Sequence, residues 1–387
     1  MALPEKKILI CTDYPAPNET MTGGIPRSVY STVQALKKIA PEYNFHIVTL
    51  SATIKRSTIL KDDNLTVHYL SFPLKNMPIL VPKFLSKIFL LRYIRRIQPD
   101  LVHAMGTGWD YAYPALSWDP DSVIITVHGV IRQESKHWTG FKGRYHAVTG
   151  QRMENKVLAH ARNVIAVSPY VKREVQPFTQ GDITVIFNPV DKIFFTVEKD
   201  EVLNQLLFVG GIEERKGLDV LIRAVARIKK TVPDIELHIV GGIRKIVYHH
   251  AVCNLIKSLD LEENIVFCGR LTDSLLFREY REAAVFVLPS YEESQGIVIL
   301  EAMATGTPVV ATRAGGIPDM ILDGANGCLV ECGDDKQMAV SIVSLLQDKE
   351  RRRVLGESGK ETALQYLPEI IAQQHLQVYN RLLSHVP

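Results

Sequence analysis

Short runs of β-branched and apolar residues alternate with longer helical stretches along nearly the whole chain, and this alternation limits the fold more than any other feature. The strand-like runs of the first half are 7–11, 45–50, 65–70, 101–104, 123–127, 164–167 and 183–186. Those of the second half are 205–209, 236–240, 265–268, 285–288, 309–311 and 328–330. Several are apolar throughout rather than at every second residue, which is the pattern of strands covered on both faces in a parallel sheet. Between them, 25–40, 217–230, 247–259, 297–305 and 336–346 carry apolar residues at helical spacing. Repeated strand–helix–strand units predict a doubly wound α/β chain. The pattern restarts near residue 205, after a segment that includes the charged run Glu198-Lys199-Asp200-Glu201. Two Rossmann-like domains follow, 1–195 and 196–366, and 367–387 reads as a single terminal helix.

At 387 residues, both domains are long enough to bury a core of their own. Apolar residues make up 46% and charged residues 22%, which excludes a disordered or fibrous chain. No apolar run approaches the roughly 18 residues of a membrane span. The start, MALPEKKILICT, has no signal-peptide pattern, so a cytoplasmic protein is expected. The five cysteines are scattered without a C-x-x-C pair, so the spacing indicates neither a disulfide framework nor a zinc site, and thiols filling interior space are expected.

The net charge of +3 conceals an asymmetry. Residues 1–200 hold 25 Lys and Arg against 17 Asp and Glu; residues 201–387 hold 20 against 25. Residues 65–99 contain no acid. From Pro82, Phe84, Leu85, Ile88, Phe89, Leu91 and Ile94 recur at helical spacing, with Lys83, Lys87, Arg92, Arg95 and Arg96 between them. Such a helix suits an anionic membrane surface. It equally suits a core helix with a solvated basic face, and that is the commoner use.

In open parallel sheets, ligands sit on the loops that leave the carboxyl ends of strands. Three such loops are glycine-rich: Thr22-Gly23-Gly24, Gly210-Gly211 through Arg215-Lys216-Gly217, and Gly315-Gly316. Glycine lets backbone amides approach a phosphate, a following helix N-terminus adds partial positive charge, and Lys216 adds a full one. Each loop alone is also what an ordinary strand-to-helix turn looks like. The densest segment is 289–319. There Glu293 lies on a loop, and Gly296, Ile297 and Val298 open a helix that carries Glu301. Two carboxylates at that spacing suit the hydroxyls of a ribose or hexose, with the amides of Gly296 and Ile297 facing phosphate oxygens. A glutamate among Leu300, Ala302, Met303 and Ala304, which read as buried, points to a role beyond surface charge.

This segment resembles the E-x7-E motif of retaining glycosyltransferases of family four, with Glu293 and Glu301 in place, followed by Gly306, Pro308, Gly315, Gly316 and Asp319. The stretch VGGIEERKGLDVLIRA resembles the family's V-G-R-L-x-x-x-K-G pattern. The resemblance reaches Gly23-Gly24, LVHA at 101–104, TVHG at 126–129, AVS at 166–168 and Asn188-Pro189-Val190-Asp191. It implies the GT-B fold: two doubly wound Rossmann-like domains facing across a cleft, with the C-terminal helix returning to the N-terminal domain. It also implies transfer of a hexose, with retention, from a UDP- or GDP-type sugar to a hydroxyl of a glycan, lipid-linked or small-molecule acceptor.

By position, the resemblance makes Glu293, His128 and Lys216 catalytic. Lys216 neutralises the leaving diphosphate with Gly296 and Ile297, Glu301 holds the ribose, Glu293 the donor sugar, and His128 the sugar's other side. Gly23, Gly24, Gly211, Arg215, Ser294, Gln295 and Val298 complete the donor contacts. No cofactor, metal or nucleic acid is expected. The basic helix implies peripheral contact with an anionic membrane at its inner face. Departures are Gly211 where the family has Arg, Ser294-Gln295 where it has Gly-Phe, and Asn188-Pro189 for Asn-Gly. Asp119-Pro120-Asp121 resembles a metal-holding D-x-D but precedes its strand, and His103 reads as a structural histidine.

Four rival readings exist. One is a GT-B protein that holds nucleotide sugar without turning it over; intact Glu293, Glu301, Lys216 and His128 argue against it. A sugar phosphorylase needs a pyridoxal-phosphate lysine context, which the chain does not show, and a non-hydrolysing epimerase is the other GT-B enzyme. A nicotinamide dehydrogenase needs G-x-G-x-x-G, which the chain lacks.

Overall fold

The computed structural model describes residues 6–16, 23–72, 80–108, 110–138 and 140–384, with the side chains of 80–84 outside the description. Thr22 and the side chains of Pro82, Lys83 and Phe84, singled out above, fall outside it. The chain forms two compact units: residues 1–189 with 368–387, and residues 190–367. The division lies at 189/190 rather than 195/196. Val190 donates its amide to the Tyr366 carbonyl, and Phe194 packs edge-on against Phe277 and Tyr280, so 190–196 belong to the second unit.

In unit 1, eight strands form one sheet: β1 Lys6–Cys11, β2 Tyr43–Ser51, β3 Thr58–Asp62, β4 Leu65–Ser71, β5 Leu101–Met105, β6 Val123–Val127, β7 Asn163–Ala166 and β8 Asp182–Val185. Their order is β3-β4-β2-β1-β5-β6-β7-β8. All neighbours are parallel except β3, which pairs antiparallel with β4. The all-apolar strands are the central ones: every residue of β6 is buried, as are Ile8 to Cys11 of β1. β3 is exposed throughout, and the apolar pattern gave no sign of it. One face of the sheet is covered by the helices Gly24–Ile39 and Pro368–Leu383. The second of these lays Ile371, Leu376, Tyr379 and Leu383 into a core shared with Val29, Val33 and Leu36. Burial of each such side chain contributes about 1.5–3 kcal/mol.

The helix Leu80–Ile97 buries Leu90, Ile94 and Ile97, one stripe at helical spacing. Leu85 and Ile88 lie on the other side, exposed beside Arg92, Arg95 and Arg96. The apolar residues therefore do not form the single face that their spacing suggested.

In unit 2 the strands are β9 Val202–Val209, β10 Glu236–Val240, β11 Ile265–Gly269, β12 Ala283–Leu288, β13 Val309–Thr312 and β14 Cys328–Val330. They are all parallel, in the order β11-β10-β9-β12-β13-β14. This is the Rossmann order, whose direction of winding reverses between its first and fourth strands, here β9 and β12. The helix Leu218–Ile228 follows β9 and buries Leu218, Leu221, Ile222 and Val225. Of the cysteines, Cys11 and Cys328 are buried, but Cys332 is exposed in the loop after β14, contrary to the interior placement expected. Among the described residues, no helix is long and apolar enough to cross a membrane.

Candidate functional site

The reversal point between β9 and β12 brings together the two loops that carry the strongest motifs. The loop after β9 ends in a short turn, Glu214–Lys216, and then Gly217. Gly217 has φ +63°, and a Cβ there would lie 2.2 Å from the Pro289 carbonyl oxygen, so only glycine lets the β9 loop approach the β12 loop this closely. Tyr291 donates its amide to the Arg215 carbonyl at 2.8 Å, and Arg215 Nη1 donates to the Glu292 carbonyl at 2.8 Å.

Across this seam Lys216 Nζ lies 2.5 Å from Glu293 Oε1, with side chains 13% and 8% exposed. Ser290 Oγ donates to the same oxygen at 2.8 Å, and Arg215 Nη1 stands 3.6 Å from the other. Burial alone would push the Glu293 carboxyl up. The Lys216 ammonium, the Arg215 guanidinium and the Ser290 hydroxyl outweigh burial and hold it below the usual carboxylate range. Glu293 is thus ionised at neutral pH. A third loop fixes its backbone: Gly316 donates its amide to the Glu293 carbonyl at 2.7 Å, and Gly315, at φ +53°, leaves no room for a Cβ beside that oxygen.

Gly296 caps the helix Ile297–Ala304 and has no side chain to satisfy the first-turn amides. Those donors, with the positive end of the helix dipole, form a ready anion site. Glu301 lies within the helix and is 4% exposed. Tyr280, itself buried, donates its hydroxyl to Glu301 Oε2 at 2.7 Å and reaches the Val298 carbonyl at 3.4 Å. Ser294 and Gln295 are buried next to Glu293. Unit 2 therefore brings Lys216, Arg215 and Glu293 together at the reversal point, and the helix that follows Glu293 opens at Gly296, Ile297 and Val298 and carries Glu301.

Sequence reasoning missed two members. Tyr280 lies 21 residues before the carboxylate it serves and belongs to no motif. Arg244 comes from the loop after β10, and its Cγ lies 2.7 Å from where a Cβ on Gly211 would be. The space that a side chain at 211 would need is thus occupied by the stem of another arginine. The Ile212 amide donates to the Gly242 carbonyl at 3.0 Å, and Arg244 donates its own amide to the Ile212 carbonyl at 3.2 Å. These two bonds hold the β9 and β10 loops in step.

In unit 1, Gly23 has φ +100° and leads into the helix that starts at Gly24. His128 directly follows β6. Both of its ring nitrogens are buried, with the Asn188 side chain beside the ring. Burial lowers its pKa to about 4, against a weaker upward pull from the Asn188 side chain, so the ring is neutral. Beside it lies a cavity of about 10 Å³ lined in part by Ser28, Thr32, Thr126, Asn188 and His375. That is room for one water molecule. His103 is fully buried between the Tyr379 hydroxyl at 2.7 Å and the Thr126 hydroxyl at 2.6 Å, a structural histidine. Asp121 pairs with Arg162, and its amide is held by Asp119 Oδ1 at 3.1 Å, so this turn has local partners.

Two family descriptions match consecutive parts of the chain: Glycosyltransferase Family 4 over residues 22–192 and Glycosyl transferases group 1 over residues 189–362. The chain belongs to this glycosyltransferase family and is an enzyme of GT-B fold. It is 29% identical over 376 residues to a glycosyltransferase of Methanocaldococcus jannaschii, across 93% of this chain and 95% of that protein. Sucrose-phosphate synthase from Thermosynechococcus elongatus matches its structure with a TM-score of 0.83 at 21% identity, over 98% of this chain and 99% of that one. HepE of Anabaena, solved with UDP-glucose, matches with a TM-score of 0.67 at 18% identity, over 97% of this chain and 99% of that one.

Proposed function

We propose that this glycosyltransferase moves a hexose, with retention of anomeric configuration, from a UDP- or GDP-sugar to a hydroxyl of a glycan, lipid-linked or small-molecule acceptor. One observation carries the reading. A buried lysine–glutamate pair joins the β9 and β12 loops at the reversal point of a doubly wound parallel sheet, and the helix that follows has an uncapped start and carries a tyrosine-held glutamate. A diphosphate draws Lys216 Nζ away from Glu293 and takes the first-turn amides at Gly296 and Ile297. The freed Glu293 carboxylate accepts donor-sugar hydroxyls, and Glu301 accepts from the ribose. Arg244 supplies the guanidinium that Gly211 lacks, with Arg215 bracing the loop. As the glycosidic bond to the diphosphate breaks, Lys216 and the amides stabilise the negative charge that grows on the leaving oxygen. The departing phosphate accepts the acceptor's proton, and Lys216 with the helix amides takes the charge-neutralising part that a divalent metal would otherwise play. His128, neutral at the end of β6, is suited to donate or accept one hydrogen bond to a sugar hydroxyl. The UDP-glucose bound by HepE agrees with a UDP-type donor.

The test follows the sugar released from UDP- and GDP-hexoses in the absence of acceptor, by proton NMR. The reading expects the α-anomer to appear first from an α-linked donor, at a rate that added Mg²⁺ or Mn²⁺ leaves unchanged. First appearance of the β-anomer overturns it.

A membrane-proximal acceptor is the more specific part of this proposal. On unit 1, Leu85 and Ile88 stand exposed among Arg92, Arg95 and Arg96. On the helix Gly140–His160, Phe141 is 88% exposed, and Tyr145 and Val148 are also exposed, near Lys142 and Arg144. Lys87 and Lys156, one from each helix, both sit over the Tyr113 ring at 4.6 Å, so the two helices flank the same residue. Apolar side chains ringed by bases suit an anionic lipid surface. Sedimentation with anionic but not neutral liposomes supports this; equal recovery in both supernatants removes it.

A further inference from the structure

A second cluster of reactive side chains lies toward the β11 edge of the unit 2 sheet, on two strands and a helix rather than on the β9 and β12 loops. His238 is on β10, Cys268 on β11 and Glu279 on the helix Asp273–Glu282. The pairing of β10 with β11 runs His238 to Val266 and Ile239 to Phe267, then slips so that Val240 meets Gly269. Cys268 is the residue inserted by that slip. A bulge re-aims a side chain that would otherwise follow the pleat, and here it serves a thiol. One ligand atom from each of His238, Cys268 and Glu279 lies within 4.8 Å of the other two. His238 Nδ1 is 2.6 Å from Glu279 Oε2. Nε2, on the other side of the ring, is buried and 3.2 Å from Glu236 Oε1, without hydrogen-bond geometry.

Nitrogen, sulfur and carboxylate oxygen together form a donor set for zinc; magnesium and calcium take oxygen ligands and do not favour a thiolate. Zinc holds such donors at about 2.0–2.3 Å, so His238 Nδ1 and the Glu279 carboxylate, now 2.6 Å apart, need to open by roughly half an ångström to admit the ion between them while the Cys268 thiol closes on it. We propose that this cluster is a zinc site, with His238 Nδ1, Cys268 Sγ and the Glu279 carboxylate as ligands and water in the fourth position. Glu236 stands 3.2 Å from Nε2 and needs only a small turn to accept from Nε2–H once Nδ1 is on the metal, the usual part of an outer partner at a metal-bound histidine. Binding sends the thiol proton of Cys268, and any proton on His238 Nδ1, to solvent, since the metal takes the thiolate and the neutral imidazole. The site lies outside the proposed reaction, and does not rest on the donor reading. Sequence reading found no zinc spacing because the ligands come from three elements rather than one motif. Glu279 immediately precedes Tyr280, so the ion would pin the helix whose next residue holds Glu301.

The test titrates the reduced, metal-free full chain with Co²⁺ and reads the thiolate-to-cobalt charge-transfer absorption, then displaces the ion with Zn²⁺. The proposal expects one equivalent with a thiolate band, lost in Cys268→Ser and kept in Cys253→Ser and Cys332→Ser. It expects zinc affinity to fall at least tenfold in Glu279→Gln and in His238→Ala. Circular dichroism of each metal-free variant checks that it folds; if Cys268→Ser does not, Glu279→Gln carries the test through zinc affinity. Absence of a thiolate band in the parent chain, its survival in Cys268→Ser, or unchanged zinc affinity in Glu279→Gln overturns the site.

Discussion

Separating Lys216 from Glu293 should damage stability and activity in different ways, because the free protein commits each residue to the other. Removing one partner of a buried ion pair costs about 3–5 kcal/mol, most of it the penalty of the charge left behind. In Lys216→Met, Glu293 keeps the Ser290 hydroxyl at 2.8 Å and Arg215 at 3.6 Å, which places the loss near the lower end, about 3 kcal/mol. At about 2–4 °C per kcal/mol for a unit of this size, that is a fall in Tm of about 6–12 °C. Glu293→Gln strands the ammonium instead and should cost a similar amount. The double variant strands neither, so it should be more stable than the sum of the single losses by about 2 kcal/mol, within the range for contacting residues. Turnover behaves differently: all three variants should lose about a hundredfold or more, because the ammonium and carboxylate are each needed in the transition state. Urea unfolding followed by circular dichroism, with donor turnover on the same samples, reads both quantities. Single losses that add to within about 0.5 kcal/mol would refute the pair as a structural unit of the free protein.

Three further outcomes follow from the same geometry. Tyr280→Phe removes the hydroxyl that holds Glu301, and donor KM should rise about tenfold, the equivalent of about 1.4 kcal/mol, with a smaller change in kcat; an unchanged KM would show that Glu301 needs no brace. Burial lowers the pKa of His128 to about 4 and of His375 to about 3, below the ordinary value near 6.5 of the unfolded chain. Such groups leave stability intact above pH 6.5 and subtract about 1.4 kcal/mol each per pH unit below it, so the urea midpoint of unit 1 should fall steeply from pH 6.5 to 5; a flat profile contradicts the burial. Gly217→Ala and Gly306→Ala both place alanine at positive φ, but a Cβ at 217 meets the Pro289 carbonyl at 2.2 Å while the space around 306 is open. Gly306→Ala should cost about 1 kcal/mol and Gly217→Ala at least about 2 kcal/mol more, measured by urea midpoint; equal losses would deny the close approach of the two loops.

The parts of the fold that were legible in the sequence are those where burial acts on consecutive residues. β6, β12 and β13 sit inside parallel sheets and must be apolar on both faces, so their runs are visible without any partner. β3 was not visible because it is an exposed edge strand with one neighbour, and its TILKD sequence carries no burial pattern. In the helix Leu80–Ile97 the residue types were read correctly, but which of them face the core is settled by the neighbours the helix packs on. The site divides the same way. Lys216, Glu293, Gly296 and Glu301 stand in motifs and could each be singled out. That Lys216 and Glu293 bind each other, 77 residues apart, depends on the order of β9 and β12 in the sheet. Tyr280, Arg244 and the His238–Cys268–Glu279 group come from separate elements, and only strand order and a one-residue bulge bring them to their partners.

The most direct measurement is calorimetric titration of the chain with UDP and GDP, repeated with Lys216→Ala and Glu301→Ala. The account predicts that one nucleoside diphosphate binds the parent chain with a single site. It predicts at least a tenfold loss of affinity in each variant, since Lys216 meets the diphosphate and Glu301 the ribose. Parent-level binding in both variants, or no binding of either nucleotide to the parent chain, would contradict a donor site at the β9–β12 reversal point.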